Sequence, residues 1–179
     1  RRSSDLEIYA VADLTVANST FDNNAVALND ANGGAIMAVA AANDVTLNIN
    51  NVKFTINKVD NGGGDIGVAG INGKTLTYNI YDSVFENTIA ETDGTVPAAG
   101  GAIFSYGNAV GLINNTTFKG NDALTGDVSN GGAIKVQFGG TLTVANSTFE
   151  DNKAGHCGGA ISVQANTGEN CEVFVINCT

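Results

Sequence analysis

Five phenylalanines constrain the fold more than any other feature of the chain. Phe21, Phe54, Phe85, Phe118 and Phe149 recur at separations of 33, 31, 33 and 31 residues, and the text around them recurs with them. LTVANSTFDNN at 14–24, LNINNVKFTIN at 47–57, YNIYDSVFENT at 78–88, GLINNTTFKGN at 111–121 and LTVANSTFEDN at 142–152 are copies of one block. A fixed period of this size is the signature of a repeat architecture, in which each unit buries its apolar face only against its neighbours. VFVINCT at 173–179 aligns with the first part of the same block. The expectation is therefore a single segment over residues 1–179, cut from a longer array.

A second marker alternates with the first. Gly33-Gly34-Ala35-Ile36, Gly100-Gly101-Ala102-Ile103, Gly131-Gly132-Ala133-Ile134 and Gly158-Gly159-Ala160-Ile161 share the letters GGAI, and Gly63-Gly64-Asp65-Ile66 is a degenerate copy. Three variable stretches between the markers, 25–32, 88–99 and 122–130, are polar or small and read as loops. Seven and five residues before each Phe stand mostly apolar pairs such as Leu14/Val16, Leu47/Ile49 and Leu142/Val144, separated by Thr or Asn. That is the period-2 alternation of a half-buried strand, and the three-and-four spacing of a helical solenoid is missing.

If one repeat makes one lap of a coil, equivalent residues stack at the strand spacing of about 4.8 Å. The chain then folds as an all-β parallel β-helix with one rung per 31–33 residues and a column of Phe rings inside. Asn18, Asn51, Asn115, Asn146 and Asn177, with Asp82 in the remaining rung, stand three residues before each Phe position. They are expected to form a second column, with amides hydrogen-bonded along the stack within the coil. Ser19, Val52, Ser83, Thr116, Ser147 and Cys178 follow as a small inward column. The Gly-Gly pair supplies positive φ or close backbone approach at another corner.

Composition agrees and removes alternatives. Twenty-three glycines against a single proline suit tightly cornered, hydrogen-bonded strands. Eight basic against 18 acidic residues give a net charge of −10, and Arg1 and Arg2 are the only arginines, so binding to nucleic-acid phosphates is disfavoured. No apolar run approaches the roughly 18 residues of a membrane-spanning helix, so this segment is not expected to insert directly into a membrane.

GGAI at 33–36, 100–103, 131–134 and 158–161, paired with FDNN at 21–24, FTIN at 54–57, FKGN at 118–121 and FEDN at 149–152, resembles the repeat of the chlamydial polymorphic outer-membrane proteins and related autotransporter-type surface proteins. The resemblance covers nearly the whole chain. It implies a right-handed, single-stranded parallel β-helix at the cell surface or in the extracellular space, acting as an adhesin or extended stalk with its anchor elsewhere. Two departures stand out: FENT at 85–88 lacks the final Asn, and GGDI at 63–66 has Asp in place of Ala.

Chemistry-bearing residues are sparse. A polysaccharide lyase or hydrolase built on a β-helix needs convergent acids and a proton-abstracting base. The acids nearest the repeat blocks are Asp44, Asp65, Asp82, Glu86, Glu150 and Asp151, with Lys53, Lys119 and Lys153 beside the Phe column. They read better as solvated neighbours of strands. His156 is the sole histidine and reads as a turn residue. The spacing of His156, Cys157, Cys171 and Cys178 is not that of a structural zinc site, and Asp122 and Asp127 belong to no calcium-binding pattern.

Three cysteines in one extracellular repeat suggest one bridge, Cys157 with Cys171, while Cys178 also fits as a buried thiol. Asn-x-Ser/Thr sequons stand at Asn18, Asn114, Asn115, Asn146 and Asn177. Asn114, off the Asn column, is the better glycan acceptor if column amides are satisfied within the coil. The expected function is structural and adhesive, without catalysis or cofactor, through loops that meet a cell-surface or matrix protein or glycan. Alternatives are a subunit of an extracellular filament, contacting neighbouring copies, and a polysaccharide-active β-helix.

Overall fold

The computed structural model describes residues 8–26, 32–91, 98–123 and 129–179, all of them strands, bridges, turns and irregular segments. The cores of the three variable stretches, 27–31, 92–97 and 124–128, lie outside the described residues. Every strand pairing is parallel, and the chain forms a β-solenoid of about five turns with three faces.

The first face holds the strands that follow each Gly-Gly pair: Ile8–Ala10, Ile36–Ala40, Ile66–Gly70, Ile103–Gly107, Ile134–Gln137 and Ile161–Gln164, stacked in chain order. The second face holds the repeat blocks, among them Leu14–Asp22 and Val45–Thr55, which in later turns divide into two shorter strands such as Ala109–Asn114 and Thr117–Lys119. The third consists of two-residue strands, Ala25–Val26, Lys58–Val59, Ile89–Ala90, Asp122–Ala123 and Lys153–Ala154.

One period of text is one lap of backbone. Phe21 pairs with Phe54, Phe54 with Phe85, Phe85 with Phe118 and Phe118 with Phe149. Their rings stack with centroids 5.0, 4.7, 4.8 and 4.9 Å apart and planes within 12°. The spacing is that of hydrogen-bonded strands, so the backbone ladder and the ring column reinforce each other. Alternate residues of the first two faces complete the interior: Ile36, Ile66, Ile103 and Ile134 from one, Ile49, Ile80, Ile113 and Val144 from the other. Val59, Ala90, Ala98 and Ala123 form a smaller cluster along the third face.

The Gly-Gly corner uses its two residues differently. The first glycine of each pair has φ between +65° and +76°, at Gly33, Gly63, Gly100, Gly131 and Gly158. At the second, a Cβ on Gly34, Gly64, Gly101 or Gly132 would collide with the carbonyl oxygen of the equivalent glycine one turn on. Both expected roles of glycine are thus present, one per residue.

The Asn column corrects the sequence reading. Asn18, Asn51, Asp82, Asn115, Asn146 and Asn177 are exposed on an outer bend, and each has φ between +49° and +52°. Asn and Asp are the non-glycine residues that tolerate this left-handed conformation best, which accounts for their recurrence without burial. Their side chains do bond along the stack in part: Asn51 donates to Asn18 at 2.8 Å, Asn115 to Asp82 at 2.6 Å and Asn177 to Asn146 at 3.5 Å, but Asn146 donates to Asn114 instead.

The amide ladder inside the coil is made by the final Asn of each FxxN. Asn24, Asn57 and Asn121 are buried and Asn152 is half-buried. Asn57, Asn121 and Asn152 each donate Nδ2 to the carbonyl of the Phe one turn earlier, Phe21, Phe85 and Phe118. Their Oδ1 atoms accept the backbone N–H of Asn24, Thr88 and Asn121 respectively.

The residue before that ladder is also left-handed in each turn, and here the second turn carries Ile56 at φ +55°, with its side chain 55% exposed. A β-branched residue pays for this conformation without packing in return. Ile56→Asn is expected to raise stability by about 1 kcal/mol, read from the urea midpoint at an unchanged slope; a lower midpoint would show that the exposed isoleucine is packed after all.

Candidate functional site

The first face presents its alternate residues outward, and five turns place unlike side chains in register. One outward row runs Met37, Gly67, Phe104, Lys135, Ser162; the next runs Val39, Ala69, Tyr106, Gln137, Gln164. Beside them the isolated bridges Asn32, Gly62, Ala99, Asn130 and Cys157 mark the corner leading into the Gly-Gly pairs. Between rows and corner lies a groove of about 800 Å³ that crosses all five turns, a volume typical of small-molecule and short-oligomer sites.

Glycines of the second turn make room in it. A Cβ on Gly62 would come within 2.7 Å of Phe104 Cδ1, and one on Gly67 within 2.7 Å of Met37 Sδ. Phe104 therefore lies down over the corner, and Tyr106, 36% exposed, packs edge-on to it at 6.0 Å and to Phe138 at 5.3 Å.

Lys135 is the charged group of this groove. Its residue is only 3% exposed, and Nζ donates to Gln164 Oε1 at 2.9 Å and Ser162 Oγ at 3.3 Å. Both partners are neutral, and burial pulls its pKa below the ordinary lysine value. Three other lysines are matched with acids: Lys53 with Glu86 at 3.2 Å, Lys58 with Glu91, and Lys119 with Glu150 at 2.9 Å. No Asp or Glu is among the groove's described lining residues. His156 and Cys157 form its rim, with Cys157 Sγ 3.1 Å from His156 Nδ1 and that nitrogen 3.4 Å from Asn130 Oδ1.

The acids and lysines considered as candidates for sugar cleavage are dispersed. Asp44 caps a turn by accepting the Thr75 N–H at 2.9 Å, Glu86 and Glu150 sit in surface ion pairs, and Asp82 belongs to the outer bend with Asp151 at another left-handed corner. Lys153 faces Asp122, whose carboxyl is raised by partial burial. Among the described residues no group of three His, Cys, Asp or Glu converges as for a metal, and Asp127 lies outside them.

Asp65 alone is buried. It replaces the Ala of GGAI, and in the repeat block that follows Thr88 replaces the final Asn of FxxN. Asn57 Nδ2 donates to its Oδ1 at 2.7 Å, while its Oδ2 has no hydrogen-bond partner among the described residues. Thr88 turns its hydroxyl to Asn121 Oδ1 at 2.7 Å and the Gly101 carbonyl at 3.0 Å. Desolvation holds the Asp65 carboxyl well above the usual range, against the lowering effect of Asn57 and Thr88.

The expected Cys157–Cys171 bridge is not formed, and all three cysteines are free. Cys157 lies at the corner before the strand Ile161–Gln164, whereas Cys171 Sγ meets the Gln164 carbonyl at 3.2 Å and the Gly139 N–H at 3.2 Å, at that strand's far end. The intervening strand spans about 10 Å, more than a disulfide bridges. Cys178 occupies the small inward column, with Sγ 3.4 Å from the Ile176 carbonyl. Of the sequons, Asn114 is half-buried and accepts the Asn146 bond, while the column asparagines are exposed, so the burial contrast drawn from the sequence is reversed. The groove itself was missed, since its letters differ from turn to turn.

Comparison with known proteins places the repeats. The Chlamydia polymorphic membrane protein repeat matches residues 146–164, the stretch from the outer-bend Asn through FEDN and GGAI to the end of the following strand. The probable autotransporter YfaL of Escherichia coli (strain K12) is 34% identical over 153 residues, covering 79% of this chain and 12% of that protein. The chain thus spans about one eighth of the length of that relative. No solved structure matches. The repeats that build this solenoid are of the polymorphic-membrane-protein, autotransporter-like type.

Proposed function

We propose that this chain is a section of a surface-exposed or secreted β-helix whose work is structural and adhesive. Two sets of observations support the reading. The repeats are those of surface proteins, and the continuous ring column and strand ladders make a stiff stack on which binding features hold fixed positions. The observation that carries the adhesive part is the groove over five turns, lined by two large aromatic side chains, amides and one buried cation. A partner of this surface, a cell-surface or matrix protein or glycan, meets residues held by strands rather than by loops. The dispersed acids favour binding over sugar cleavage.

The test uses intact producing cells and a membrane-impermeant maleimide. Cys157 is exposed at the groove rim, so peptide mapping is expected to find it labelled without lysis, and cells that display the chain are expected to adhere where cells lacking it do not. Labelling of Cys157 only after lysis would defeat the surface reading.

A further inference from the structure

We infer that the groove on the first face binds a carboxylated glycan, extended along the solenoid axis, with Lys135 as the partner of its carboxylate and Tyr106, backed by the buried Phe104, as the platform for a sugar ring. The inference deepens the adhesive reading and rests on it for its biological setting, but its chemistry stands on the groove alone.

Charge comes first. The protein carries a net charge of −10, yet the groove's described lining contains no acid, and Lys135 is buried there with its ammonium on the Gln164 amide and the Ser162 hydroxyl. A buried ammonium held by neutral dipoles is costly unless an anion completes it. In a chain this acidic, an anion meets repulsion almost everywhere else on the surface.

Geometry selects the kind of anion. The groove crosses five turns, four intervals of about 4.8 Å, or roughly 19 Å. That interval is close to the advance of one pyranose unit along an extended oligosaccharide, so successive sugars fall over successive rungs. Tyr106, held edge-on against the buried Phe104, offers apolar surface to a ring face at the centre, while Gln137 and Gln164 offer amides to hydroxyls beside Lys135. An acidic peptide is disfavoured by the same geometry. The groove lies on the face of a sheet whose backbone groups are consumed in the ladder, leaving no strand edge there for a peptide to pair with.

The test is calorimetric titration of the chain with three probes: an oligogalacturonate, a sialylated oligosaccharide and a neutral galactose oligomer of matched length. At least one carboxylated probe is expected to bind, at least tenfold more tightly than the neutral one, and the probe that binds identifies the source as uronate or sialate. Lys135→Met, checked for an intact fold by its melting curve, is expected to lose at least tenfold, and Tyr106→Ala at least threefold. Should Lys135→Met fail to fold, saturating carboxylated glycan is still expected to slow alkylation of Cys157 in the unaltered chain, read by peptide mapping.

Equal affinity for the neutral oligomer, binding of neither carboxylated probe, or displacement of both by an acidic peptide at lower concentration would each overturn the inference. Failure of surface labelling with glycan binding intact would remove only the cellular setting. Intact surface labelling and adhesion without glycan binding would remove only the ligand.

Discussion

Replacing Gly111 with leucine, the residue at the same position of three other repeat blocks, is expected to destabilise the chain by about 3 kcal/mol or more. The reason lies one turn away. In the inward column Leu14, Leu47, Tyr78, Gly111 and Leu142 pair in register, and a Cβ on Gly111 would collide with the hydroxyl end of the Tyr78 ring. The tyrosine fills two leucine places, its own and its neighbour's. Tyr78→Leu alone empties part of that space and is expected to cost about 2 kcal/mol through the cavity. The double replacement restores leucine at both positions and is expected to come within about 1 kcal/mol of the unaltered chain. Urea unfolding of the four proteins reads the cycle, and additive losses would refute the shared-space explanation.

The same ring has an alkaline signature. Tyr78 is fully buried beside Ser105, and desolvation pushes its hydroxyl up to about 12. The folded form holds its proton where the unfolded chain has begun to lose it, so stability falls as pH rises from about 10 toward about 12.

Asp65 is expected to make the chain less stable at neutral than at mildly acid pH. Its folded carboxyl is raised well above the ordinary value by burial, so below about pH 3.9 both states are protonated and the group contributes no penalty. As pH rises above that value the unfolded state releases its proton first, and stability declines by up to about 1.4 kcal/mol per pH unit until the folded carboxyl also ionises. Asp65→Asn keeps the size and an oxygen to accept the Asn57 bond while removing the charge. It is expected to be more stable than the unaltered chain at pH 7, with the difference closing by about pH 4. Melting curves of both proteins across that range test this, and a difference that does not change with pH would show that the carboxyl is not the cause.

Both predictions concern places where one turn departs from the repeat and an adjacent departure accommodates it. FENT and GGDI appear in the sequence as two separate blemishes, at Thr88 and Asp65. The solenoid brings them together, since a short Thr side chain stands where an Asn would otherwise sit beside the Ala column. Tyr78 and Gly111 likewise look unrelated across 33 residues of text and are direct partners across one strand interval.

The period, the parallel β-helix and the Phe column were determined by the letters alone. A lap of constant length puts equal residues in register, and equal residues stack, so the repeat in the text and the contact in space are the same fact. The tertiary structure decided everything that depends on unlike residues or on which side of the backbone they lie. It put the outer-bend asparagines in water and the last Asn of FxxN inside, because a left-handed bend and a hydrogen-bonded amide ladder both select Asn and the letter does not distinguish them. It separated Cys157 from Cys171 by the length of a strand. It also assembled the groove from Met37, Phe104, Tyr106, Lys135 and Gln164, which share no motif, because the outward side of a rung is free of the stacking that makes the inward side repeat.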